Sequence, residues 1–152
     1  MKLIRLFALL PLALLISCVS RSEAVSQQSV EMQYRLWSEM AQNYKFSFQQ
    51  LCFCLPDYIR PMRITVRDNH IVKVIFEDNQ SEVPSEIVTD LKTIDDIFQT
   101  IINAESLPAH SVNIEYDQNK YFPLKVDIDF DNRLADDELH WQLSNLILLD
   151  IN

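Results

Sequence analysis

The chain has no glycine anywhere in its 152 residues, although average usage is about 7%. Every turn that needs a left-handed backbone must therefore be made by a residue carrying a Cβ atom. Asn, Asp and Pro are the residues best suited to tight turns under that constraint. The same absence removes several classes of chemistry. The P-loop, the Gly-rich dinucleotide turn and the nucleophile elbow each place glycine where no other residue fits. Function and fold must instead be read from apolar periodicity and from the remaining polar residues.

The amino end has three zones: Lys2 and Arg5, an unbroken apolar run over residues 6–16 with Pro11 near its middle, and Leu15-Ile16-Ser17-Cys18. A charged start, 7–15 apolar residues and a small residue at the cleavage point describe a secretory signal. The run falls short of the roughly 20 apolar residues that span a bilayer. Residues 15–18 also resemble the lipobox of bacterial lipoproteins. That resemblance implies cleavage before Cys18, diacylation of its sulfur and acylation of the new amine, so that 1–17 is a lipoprotein signal peptide. Val19 stands where Asp would mark inner-membrane retention, so an outer-membrane destination is expected, with the domain facing the periplasm. An ordinary signal peptide, with Cys18 incidental, is the competing expectation.

Two of the 13 basic residues fall in the signal, which leaves 11 against 22 acidic ones. The formal charge of the mature chain is therefore near −11. That argues against nucleic acid as a partner, since its binding demands a basic footprint. Direct docking on anionic lipid is disfavoured, so the acyl anchor is expected to hold the membrane.

Residues 18–29 read as a flexible tether and 30–152 as a single domain. Val30, Tyr34, Trp37 and Ala41 recur at helical spacing, predicting a helix over about 30–42 with Ser29 as its cap and Trp37 in the core. Tyr44, Phe46 and Phe48 alternate with polar residues as a strand. Met62, Ile64 and Val66 form a second, Asp68-Asn69-His70 a turn, and residues 71–76 a third. Asn69 is the expected left-handed residue of this hairpin. Residues 77–92, acidic and broken by Pro84, are expected to be a surface connection. Thr93 and Asp96 make a capping-box pattern ahead of the stripe Ile94, Ile97, Phe98, Ile101 and Ile102, which ends at Leu107-Pro108. Val112, Ile114 and Tyr116, then residues 122–130, and finally 140–149 give three more strands. The last of these is Leu- and Ile-rich and compatible with a helix as well. The expected fold is α+β in the order αβββαβββ: an antiparallel sheet of about six strands with two helices covering its inner face.

Trp37, Tyr44, Cys52-Phe53-Cys54, the hairpin, residues 93–98, Tyr116-Asp117, Phe122-Pro123, Asp127 and Asp129, and Asp136-Asp137-Glu138 follow one another in order. Together they resemble a bacterial family known as domain of unknown function 6174, over roughly residues 32–149. The resemblance implies fold and an exported or lipidated location, and it carries no activity. Family members commonly have Gly-Tyr-Pro where this chain has Tyr121-Phe122-Pro123, so that turn is expected to differ.

Three constellations could carry chemistry. Cys52 and Cys54 are the only thiols besides Cys18, and an oxidising envelope favours pairing them. On an extended strand their Cα atoms would stand about 6.6–6.8 Å apart, at the upper edge of the disulfide range, so a bridge needs a bend or bulge near Gln49-Gln50. A strained bridge would be readily reduced, which makes a redox role the alternative to a structural one. Two thiols alone make a poor metal site. Asp127, Asp129, Asp131 and Glu138 match positions 1, 3, 5 and 12 of a calcium loop, but Asn132 and Ala135 break the pattern at 6 and 9. They are equally explained as the solvent face of an alternating strand. Asp95-Asp96 and Asp136-Asp137-Glu138 could supply paired carboxylates, and His70, His110 and His140 are each expected to stand alone. The expected function is that of a non-catalytic binding or structural module, anchored through lipid, with no cofactor and possible contact to an envelope protein. A thiol protein using Cys52 and Cys54 and a calcium-binding module are the alternatives.

Overall fold

The computed structural model describes residues 29–40, 42–107, 109–134 and 137–150. The signal, Cys18 and the tether before Ser29 lie outside these residues, as do Ala41, Pro108, Ala135 and Asp136. In chain order the elements are α1 (Val30–Ser38), β1 (Tyr44–Gln50), β2 (Met62–Arg67), β3 (His70–Phe76), α2 (Ser85–Val88), α3 (Ile94–Ser106), β4 (Ser111–Tyr116), β5 (Pro123–Asp129) and β6 (Leu139–Leu148). A 3₁₀ turn over Pro56–Ile59 lies between β1 and β2. The fold is α+β, as the apolar patterns predict.

All six strands join one antiparallel sheet in the order β3-β2-β1-β6-β5-β4. Each half is a three-stranded meander, and the first strand of one meets the last strand of the other at the centre. Tyr44, Phe46 and Phe48 of β1, Ile64 and Val66 of β2, and Val126 and Ile128 of β5 all point to one buried face. The helices pack on that face. The capping box at Thr93 is complete: its hydroxyl accepts from the Asp96 amide, and the Asp96 carboxylate accepts from the Thr93 amide. Ser29 caps α1 by accepting from the Met32 amide. The two longer helices run antiparallel. Trp37 Nε1 donates to Asp95 at the start of α3, and the Tyr34 ring meets Phe98 one turn further on.

Turns without glycine are made as the composition requires. Asp68 and Asn69 both have positive φ (48° and 60°), the pattern of a two-residue type I′ turn. Asn145, at φ 51°, sits where β6 slips against β1 in a bulge. That bulge lets Leu143 and Leu146, three residues apart, both enter the core. It explains why 140–149 suits either a strand or a helix when read as sequence alone.

Two expectations need correction. The first helix ends at Ser38, not near 42. Residues 77–92 are more than a surface connection: Val83 and Ile87 are buried, and α2 makes a third helix of a single turn. In the turn before Pro123, Tyr121 adopts a left-handed φ of 59°. That conformation is unusual for a bulky side chain. It is held by the Tyr121 amide donating to the Asp117 carbonyl, by the Asp117 amide donating to the Phe122 carbonyl, and by the Asp117 carboxylate accepting two further amides.

Candidate functional site

The two features that could carry function lie side by side, one on each side of the point where β1 ends. β1 stops at Gln50, after which the Leu51 amide still donates to the His140 carbonyl of β6. The chain then bends, and Cys52 and Cys54 form a disulfide with their Cα atoms 5.2 Å apart. The bend falls after the strand has ended, not at Gln49-Gln50. Gln50 Nε2 donates to the Cys52 sulfur at 3.3 Å. The alternating apolar residues 51, 53 and 55 do not pack inward: all three are exposed, with Phe53 at the tip in full contact with solvent. Closing a loop this short removes little chain entropy, on the order of 1.6 kcal/mol for three residues. The bridge therefore fixes the shape of this knuckle more than the stability of the domain.

On the outer face of the sheet, away from the helices, an open groove of about 640 Å³ runs over β4, β5 and β6 and ends at Leu51. Its walls are polar because the inward residues Val126, Ile128 and Trp141 alternate with outward ones. The register sets Asp127 opposite His140 and Lys125 opposite Gln142. Asp127 accepts from His140 Nδ1 at 2.8 Å and from Lys125 Nζ at 2.7 Å, while His140 Nε2 lies 3.4 Å from Glu138. His140 is therefore not alone. Cross-strand pairing, which no local spacing displays, brings it to Asp127, while Glu138 stands two residues before it in the chain.

The electrostatics follow from these contacts. Partial burial raises the carboxyl of Asp127, but the hydrogen bonds from Lys125 and His140 outweigh it and hold Asp127 below its ordinary value. The hydrogen bond to Asp127, with a smaller contribution from Glu138, raises His140 above the free imidazole. A raised histidine adds stability below pH ~6.5, and that contribution fades as pH climbs through the folded value. Asp127→Asn is expected to return the His140 titration toward that of a free imidazole. Ring-proton chemical shifts followed across pH would record it, and an unmoved midpoint would contradict the pairing.

The other predicted constellations separate. Asp131 pairs with Arg133, and Asp127 is held by Lys125 and His140. Asp127, Asp129, Asp131 and Glu138 thus do not converge, and no group of three His, Cys, Asp or Glu side chains among the described residues is placed to hold a metal ion. Asp95 and Asp96 lie at the opposite end of the sheet from Asp137 and Glu138, so these carboxylates do not meet. Asp96 serves the helix cap, and Asp95 accepts the Trp37 indole. Burial raises the Asp95 carboxyl despite that bond.

No curated protein and no solved structure matches this chain significantly. A family of unknown function, DUF6174, matches it over residues 29–148. That span takes in α1 and all of β6, and therefore both the knuckle and the groove, so the resemblance carried by Trp37, the Cys52-Phe53-Cys54 segment and the later aspartates is a true relationship: the chain belongs to the DUF6174 family.

Proposed function

We propose that this protein is an envelope lipoprotein, cut before Cys18 and held by its acyl chains, whose domain works as a non-catalytic binding module for a periplasmic protein partner. Support for the anchor comes from the charged start, the short apolar run and residues 15–18. Support for binding comes from the groove, and one observation carries it. Asp129 Oδ1 is a buried acceptor on the groove wall with no hydrogen-bond partner among the described residues. Buried acceptors in native proteins are nearly always satisfied, so this one is open to a donor from water or from a bound segment. Around it, Lys125, Asp127 and His140 are already fixed by one another. They offer rigid hydrogen-bonding edges to an extended segment, with little side-chain entropy left to lose on binding.

A photo-crosslinking amino acid replacing Gln142, which is exposed within the groove, tests this in intact cells. A discrete, reproducible protein adduct is expected, and it should weaken at least severalfold when Asp129 is changed to Ala. An adduct pattern no different from that of a crosslinker on the far side of the domain would sink the binding reading.

The thiol reading keeps one observation in its favour: the Cys52–Cys54 bridge sits in an exposed bend open to a reductant. It ranks second because Lys125, Asp127, Glu138 and His140 of the neighbouring groove are paired with one another, and none of these four hydrogen-bonds a sulfur.

A further inference from the structure

Ten large apolar side chains are exposed among the described residues, and six of them gather at one end of the sheet. Leu51, Phe53, Leu55 and Ile59 come from the β1–β2 connection, Leu134 from the β5–β6 connection, and Leu107 from the end of α3. Phe53 is fully exposed, Leu55 is 72% exposed, Leu107 62% and Leu134 58%. The described connections at the opposite end contribute none. Residues 51–55 carry no charge. Of the charges nearby, Arg60 is paired with Asp57 and Asp78 and Arg133 with Asp131, while Glu86 beside Leu55 and Asp129 and Glu138 beside Leu51 give the patch an acidic border. An apolar surface of this kind marks a contact with another apolar phase.

The direction of the chain indicates which phase. α3 begins beside Tyr44, the first residue of β1, and ends at Leu107 at the apolar end. α1 runs antiparallel to it: Trp37 meets Asp95, Tyr34 meets Phe98, and the charge of Glu31 reaches Glu105 in the last turn. The amino end of α1 is thus turned toward the same end of the sheet as Phe53. Cys18 to Ser29 adds 12 residues ahead of it. Fully extended they reach roughly 40 Å, more than the ~23 Å length of a seven-residue strand.

We propose that this end of the sheet rests on the bilayer to which the chain is tethered, with Phe53, at the tip of the disulfide-closed knuckle, seated among the acyl chains. The inference rests on the lipid-anchor reading and goes beyond it, since an anchor alone would leave the domain free to tumble on its tether. The surrounding acidic surface fits a zwitterionic lipid surface rather than an anionic one. Docking in this pose brings the Leu51 end of the groove to the bilayer and leaves its Lys125 and Gln142 end facing away from it.

The test uses the full lipidated chain carrying Phe53→Trp, reconstituted into phosphatidylcholine vesicles whose acyl chains bear bromine. Trp37 and Trp141 are buried, so the unsubstituted protein supplies the background. The added emission is expected to be blue-shifted and to lose at least half its intensity relative to unbrominated vesicles. Water-like, unquenched emission from protein that still floats with the vesicles would overturn the docking while sparing the anchor. Failure to float would remove the anchor and the docking with it. A photo-crosslinker at position 53 that captures protein in cells, with no lipid adduct, would reassign the tip to a protein partner and overturn the proposal.

Discussion

Trp37→Ala is expected to cost the domain about 3–5 kcal/mol, the range for deleting a large buried aromatic. The indole is fully buried where α1, α3 and β1 meet. It stands edge-on to Tyr44 at 5.0 Å and lies 6.4 Å from Phe122. Truncation opens a void bounded by three elements that cannot all close on it. It also takes the donor away from Asp95, whose carboxyl burial has already pushed up. Trp37→Phe separates the two contributions. It keeps most of the packing and loses the hydrogen bond, at about 1–2 kcal/mol. A carboxyl with a raised folded pKa favours the fold at low pH and opposes it as pH rises through the folded value. Loss of the indole donor raises it further, so the Trp37→Phe deficit should be larger at pH 7 than near pH 4. Urea unfolding followed by circular dichroism at both pH values measures this. A Trp37→Ala loss below about 1 kcal/mol would contradict the packing described.

Cys18→Ser should shift the protein from the membrane to the aqueous fraction, changing the ratio between them by at least about tenfold. Each buried methylene contributes about 0.8 kcal/mol, so two or more acyl chains give an anchor that a polypeptide with a net acidic surface cannot replace. The apolar end of the sheet would add to retention only while the anchor keeps it near the bilayer. Cell fractionation, with the mass of the mature amino terminus, reads the outcome directly. An unchanged membrane fraction, or a chain still bearing residues 1–17, would refute lipidation at this cysteine.

Much of the fold is legible because it depends on neighbours in sequence. The capping box at Thr93 and the Ile94–Ile102 stripe concern contacts within a turn or two, and α3 forms where they place it. The alternation of Tyr44, Phe46 and Phe48 needs only the period of a strand. The turn at Asp68-Asn69 follows from a chain that must adopt positive φ without glycine. Where these local rules meet a competing demand, the structure departs from them. α1 stops at Ser38 so that the chain can enter β1. Val83 and Ile87 are drawn inward from a polar stretch to cover the sheet beside β3. The phase change from Phe48 to Leu51, Phe53 and Leu55 suggested a bulge, when the strand had in fact ended and its residues faced solvent.

Local sequence was enough to place α3, the strands with clean alternation and the Asp68-Asn69 turn, because each is a matter of backbone sterics and periodicity over a few residues. Only the tertiary structure decided strand order, the pairing of His140 with Asp127, and the gathering of Phe53, Leu107 and Leu134 at one end. Those depend on registers between strands far apart in the chain. A register is chosen by how all the buried faces fit together at once, and no single segment records that fit.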